Sequence, residues 1–207
     1  MPKILGRVSS INVRKVLWAC DELGITVEHE PWGQAGLSLD SPDFLRLNPN
    51  GMVPVLVEGE FVLWESNAIC RYLGTVHPNP PLLPQDPCAR AVVEQWMDWQ
   101  ATELNNSWRY AFMALVRKSP THTDSRAIEA SIQSWNRHMA ILEASLAKSG
   151  AFVTGAQFTL ADVVLGLSTH RWYSTPFAKP DLANVGRFYQ QLNTRPGFLR
   201  FGNNGEP

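Results

Sequence analysis

Ser10 and Asn12 stand two residues apart in the segment Gly6–Asn12, where a short apolar stretch gives way to a helical pattern. The Ser10 hydroxyl and the Asn12 amide are uncharged hydrogen-bond donors, and the start of a helix favours negative charge. A thiolate placed there is stabilised in the way that lowers the pKa of cysteines at helix N-termini. A hundredfold gain in the ionised form takes about 2.7 kcal/mol. One or two charge-assisted hydrogen bonds of roughly 1.5–3 kcal/mol each are enough. Taken alone, the segment is explained more simply by Ser10 and Asn12 capping their helix.

Two further segments belong with it. Val53–Pro54 leads into the apolar run Val55-Leu56-Val57. A proline at that place marks the start of a strand, or else forms a cis peptide that turns the Val53 N–H and C=O outward to pair with an extended peptide. Glu65–Ser66 opens an amphipathic helix. The Ser66 hydroxyl and N–H suit a carboxylate, and Glu65 suits an α-amine, although an ordinary cap explains them too. The three segments in this order and spacing are more specific than any one of them. They describe an extended peptide beside Pro54, its carboxylate at Ser66 and a sulfur at Ser10 and Asn12.

The elements that must position these residues are legible. Lys3–Leu5 reads as a strand; Val13, Val16, Leu17 and Cys20 fall at helical spacing, and Gly24 is placed to end that helix. Thr26–Glu30 reads as a second strand, and so tight a strand, helix, strand order implies a parallel pair. Ser41-Pro42-Asp43 starts a short helix ending near Leu47. Val55–Val57 and Phe61–Leu63 flank Glu58-Gly59-Glu60 as a hairpin, and Ile69, Tyr72, Leu73 and Val76 form one face of a following helix. The order βαβαββα resembles a thioredoxin-like α/β domain. Five prolines in His77–Pro87 then break the chain. Residues 1–78 are expected as the α/β domain, 79–87 as linker and 88–207 as an all-α helical domain. In the latter, one long helix is expected to reach Arg117, and Ile128, Ile132, Trp135, Met139, Leu142 and Leu146 mark another. Thr159-Leu160-Ala161-Asp162 is a capping-box arrangement with Asp in the usual Glu position, and Leu182, Val185, Phe188, Tyr189 and Leu192 give a last helix.

Bulk properties narrow the function. Eighteen basic and nineteen acidic residues leave a formal net charge of -1, so neither nucleic acid nor an anionic membrane surface is expected as a partner. No apolar run reaches membrane-spanning length, and the N-terminus lacks the pattern of a signal peptide. Cys20, Cys70 and Cys88 are an odd number without a CxxC, which favours a reducing cytoplasm over a disulfide framework. Cys20 and Cys70 fall on helical core faces and read as inert packing residues. His29, His77, His122, His138 and His170 share no ligand spacing, so no metal is expected.

These motifs make the chain similar to the cytosolic glutathione S-transferases, nearly end to end, and most of all to bacterial members with a theta- or nu-like site. The first-helix pattern stands as Ser10-Ile11-Asn12 with Lys15 following, and the cis-proline segment as Asn48–Leu56. The γ-glutamyl site stands as Trp64-Glu65-Ser66-Asn67-Ala68-Ile69, and the helical-domain cap as Phe158–Asp162. The resemblance implies glutathione as co-substrate, bound through Val53, Pro54, Glu65 and Ser66, with Asn50 as an added contact and the sulfur near Ser10 and Asn12. It implies a small electrophile, a homodimer, and a pocket role for Trp108 and Phe112, whose helical spacing equally fits core packing. Met52 replaces the lysine that many relatives carry before the Val–Pro step, and Leu39 replaces a polar residue. No tyrosine or cysteine stands in Gly6–Asn12, which argues against tyrosine-type transferases and against a mixed disulfide with the protein. Glutathione-dependent disulfide or peroxide reduction needs the same residues. A non-catalytic binding protein on this fold is the third reading.

Overall fold

Ile4 is fully buried at the centre of β1 (Lys3–Leu5), and the first sheet forms around it. In the computed structural model, which describes residues 1–34 and 36–207, β1 pairs in parallel with β2 (Glu28–Glu30). On its other side it pairs antiparallel with β3 (Val55–Glu58), which continues through Gly59 into antiparallel β4 (Phe61–Trp64). The strand order is β2-β1-β3-β4. Strand β2 begins later than the apolar run suggests. The Gly24 and Ile25 amides fold back onto the Asp21 and Cys20 carbonyls, so the chain extends only from Glu28.

Three helices complete this part of the chain: α1 (Ile11–Glu22), α2 (Pro42–Leu47) and α3 (Ser66–Val76). The stripe read from the sequence on α1 is buried as expected, but so are Arg14, Lys15 and Trp18 on its other faces. Lys15 is covered by α3, and Arg14 and Trp18 by the far end of the chain. Residues Pro196–Glu206, which include α9 (Pro196–Phe201), belong to the same compact unit as Met1–Gln85. Trp18 and Phe198 pack with ring centroids 5.1 Å apart, and Arg200 pairs with Asp21 at 2.7 Å. Arg14 Nη1 reaches the Gly202 carbonyl at 3.3 Å, Asn204 Oδ1 at 3.1 Å and the Glu206 carbonyl at 2.8 Å. The last turns of the chain thus pack within the same compact unit as the α/β elements.

The second unit, Asp86–Arg195 with Pro207, is helical. Asp86 caps α4 (Pro87–Trp99) by accepting from the Ala89 N–H at 2.8 Å, with Pro87 at the first helical position. The expected single helix is interrupted by a π-helical stretch, Gln100–Leu104, before α5 (Asn105–Leu115) resumes. Buried Gln100 stands there and donates to Asn105 Oδ1 and Ser168 Oγ at 2.9 and 3.0 Å. Next come α6 (Ser125–Ser149), α7 (Leu160–Ser174) and α8 (Ala183–Leu192). Every residue of α7 from Leu160 to Trp172 is buried, so this helix is the centre of the unit. The capping box is formed: Asp162 accepts from the Thr159 N–H and from the Val153 N–H, each at 2.8 Å. None of the described helices is long and apolar enough to cross a membrane.

Candidate functional site

The start of α1 is not closed by its own side chains. Ser10 occupies the N-cap position with extended backbone, yet its hydroxyl makes no capping bond. At α2, α4 and α6, by contrast, Ser41, Asp86 and Asp124 accept from helix amides in the ordinary way. The Ser10 side chain therefore does not cap α1. The loop before it is pressed against the Val53–Pro54 loop. Gly6 has φ 145, and a Cβ there would lie 2.5 Å from Val13 Cγ2 and 2.8 Å from Val53 Cβ. Only glycine lets the two loops come so close.

The Val53–Pro54 peptide bond is cis, as is Asn79–Pro80. Ahead of it, Asn48 is buried and organises the turn. Its amide donates to the Met52 carbonyl at 2.7 Å, and its Oδ1 accepts from the Asn50 backbone N–H at 3.0 Å and side chain at 2.9 Å. A cavity of about 80 Å³ opens beside this turn, lined by Asn12, Asn48, Met52, Val53, Pro54, Glu65 and Ser66. Five site residues singled out from the sequence thus line one cavity: Asn12, Val53, Pro54, Glu65 and Ser66. Ser10 and Asn50 do not; Asn50 is bound to Asn48, which lines the cavity in its place. Nothing in the local sequence separates these two asparagines, because which one points inward depends on the closing of the turn.

The far side of the cavity is the head of α3. Glu65 sits at its N-cap with φ 71, and makes no capping bond. A positive φ at a residue other than glycine costs on the order of 1–3 kcal/mol, and such strain collects at functional sites. Ser66 follows, buried, at the first helical position. Beneath it lies Lys15, whose Nζ stands 3.1 Å from Ser66 Oγ and 2.8 Å from Asn67 Oδ1. A lysine this deep is uncommon unless it has partners. The sequence shows Lys15 as part of a motif, but only the packing of α1 against α3 reveals that it underlies Ser66. Two larger hollows of about 510 and 370 Å³ lie elsewhere in this unit. Neither contains Asn12, Val53 or Ser66, and the smaller cavity is the one where two open helix N-termini meet.

Comparison with known proteins gives the family. Residues 9–76 match the family model described as glutathione S-transferase, N-terminal domain. The chain is 38% identical to the glutathione S-transferase GstB of Escherichia coli (strain K12) over 95% of both chains. The protein belongs to the glutathione S-transferase family. Among solved structures this family member is similar to the theta class glutathione S-transferase of Xanthomonas axonopodis pv. citri with glutathione bound. The TM-score is 0.90 with 36% identity, covering 97% of this chain and 96% of that one. It is also 30% identical to elongation factor 1-gamma 3 of Oryza sativa subsp. japonica over 91% of its length, but spans only 45% of that protein.

Other side chains singled out from the sequence of this glutathione S-transferase family member are not among those that line the cavity. Burial pushes the Cys20 and Cys70 thiols up to about 12, opposed at Cys70 by the Lys15 and Arg71 charges. They are poor nucleophiles, and Cys88 is exposed on α4. Among the described residues no group of three or more His, Cys, Asp or Glu is placed to hold a metal ion. Trp108 and Phe112 lie inside the helical unit, 9% and 4% exposed, with the Arg171 guanidinium 4.7 and 4.2 Å from their ring centroids. The Trp135 and Trp108 rings pack at a tilt with centroids 5.9 Å apart. Of the two explanations for their spacing, this placement favours packing.

Proposed function

We propose that the protein binds glutathione along the Val53–Pro54 edge, ionises its thiol at the head of α1, and delivers the thiolate to a small electrophile. The γ-glutamyl carboxylate meets the Ser66 hydroxyl and N–H, and Glu65 faces the α-amine. The Val53 backbone pairs with the cysteinyl unit of the tripeptide. Ser10 and Asn12 donate to the sulfur, and the α1 dipole adds to the preference for the anion. The thiol proton leaves to solvent. A new sulfur–carbon bond then forms as the leaving group departs with its electron pair. The protein supplies little general acid chemistry, so substrates with good leaving groups are favoured.

The observation that carries this reading is the meeting of Asn12, Val53, Pro54, Glu65 and Ser66 around one cavity between two helix starts without side-chain caps. Replacing Asn12 and Ser66 separates their roles. Asn12→Ala removes a bond made to the thiolate, so turnover should fall by about ten- to a hundredfold with glutathione affinity changed far less. Ser66→Ala should instead raise the glutathione Kd by about tenfold. Steady-state kinetics and calorimetry measure both. Unchanged turnover in the first variant, or unchanged affinity in the second, would remove that residue from the site.

The same site serves glutathione-dependent disulfide reduction. Product analysis with a disulfide against a haloalkyl or nitroaryl compound distinguishes that activity. Binding of glutathione without turnover of any such compound would instead support a non-catalytic protein on this fold. A second copy of the chain is the proposed partner, on β4 and α3. Phe61 and Trp64 of the edge strand and Val76 of α3 are 43%, 39% and 47% exposed. The free Cys20, Cys70 and Cys88 suit a reducing cytoplasm.

A further inference from the structure

Lys15 is 2% exposed, and its ammonium lies within hydrogen-bond reach of Ser66 Oγ and Asn67 Oδ1. An ammonium only donates, so Ser66 Oγ must accept from it. The single Ser66 hydroxyl proton is then free to point to the other side of the oxygen, where Ser66 lines the cavity. Without the ammonium, a serine in a first helical turn turns its proton toward whatever acceptor is nearest. A cation fixed one residue beneath the head of α3 also adds to the positive end of that helix. Burying an ammonium is costly in itself, and for packing alone an apolar side chain of this length would serve as well.

Resting on the glutathione reading above, we infer that Lys15 is a positioning residue for the γ-glutamyl carboxylate. It holds the Ser66 hydroxyl as a donor toward the cavity and supplies the positive field in which the carboxylate sits. It touches Ser66 and Asn67 rather than the reacting sulfur. Its loss should therefore appear in glutathione affinity and leave turnover at saturation nearly unchanged.

The test uses the full chain, glutathione, and 4-aminobutyryl-cysteinyl-glycine, the analogue whose γ-glutamyl α-carboxylate is replaced by hydrogen. Calorimetry on Lys15→Met should give a glutathione Kd raised about tenfold or more, with the analogue's Kd within about twofold of wild type. Lys15→Arg, which keeps the charge, should lie closer to wild type than Lys15→Met. Equal weakening of both ligands would mean that Lys15 only holds α1 to α3, and would overturn the inference, as would unchanged glutathione affinity. Should Lys15→Met fail to fold, Asn67→Asp decides, because it sets a carboxylate of the same shape against the ammonium. It must show the same selective loss, and equal affinities for wild type and variant overturn the proposal. Failure of the wild type to bind glutathione at all would end the glutathione reading itself. Normal wild-type binding without the selective loss would end the Lys15 role alone.

Discussion

Glu65 concentrates the tension between stability and binding in one side chain. Its φ of 71 is a conformation that glycine adopts freely and other residues adopt at a cost of about 1–2 kcal/mol. Glu65→Gly relieves that cost while losing about 0.5–1 kcal/mol to the greater freedom of the unfolded chain. The melting temperature of this variant is therefore expected to hold or rise slightly, while its glutathione Kd rises. Thermal unfolding followed by calorimetry checks both, and a marked loss of stability would show that Glu65 is not strained. At this scale the sequence is legible where a residue's placement follows from its type and neighbours, as with Asn12, Val53 and Ser66, which line one cavity. Lys15 and Asn48 are legible only in part, because burial beneath Ser66 and the inward turn of one asparagine depend on contacts made after folding.

Among the elements, α1 and α7 show opposite degrees of legibility. The head of α7 is written locally, in Thr159 and Asp162 three residues apart, and the capping box is present. Desolvation pushes the Asp162 carboxyl up to about 6 from its ordinary 3.8, against the pull of the Val153 and Thr159 donors. The folded chain thus holds a proton between those pH values that the unfolded chain has released. Stability from this group is present below 3.8 and lost as pH rises through about 6. Asp162→Asn cannot titrate, so the excess stability of wild type over this variant should shrink between those limits. Urea unfolding across that range measures it, and a difference that widens with pH contradicts the assignment. Helix α1 is the harder case. Its Val13, Val16, Leu17 and Cys20 face is plain from spacing, but Arg14 looks like a surface residue until the segment carrying Gly202 and Glu206 returns to cover it. No local pattern announces a partner 188 residues away. The π-helical stretch at Gln100–Leu104 was invisible for a similar reason, since its Ser168 contact comes from another helix.

For the whole molecule, the proline-rich break adjoins the point where two compact units part, and prolines end both helices and strands wherever they fall. One compact unit is Met1–Gln85 with Pro196–Glu206, and the other is Asp86–Arg195 with Pro207. Family membership rests on the full length, while the proposed chemistry rests on one corner of the first unit. That chemistry has a direct signature in the ionisation of the ligand. The decisive measurement is an ultraviolet titration of the thiolate in the complex of the full chain with glutathione. The account expects the bound thiol to ionise well below the ordinary thiol pKa of about 8.5, and Asn12→Ala to return it toward that value. Glutathione that binds but titrates like the free thiol would contradict it.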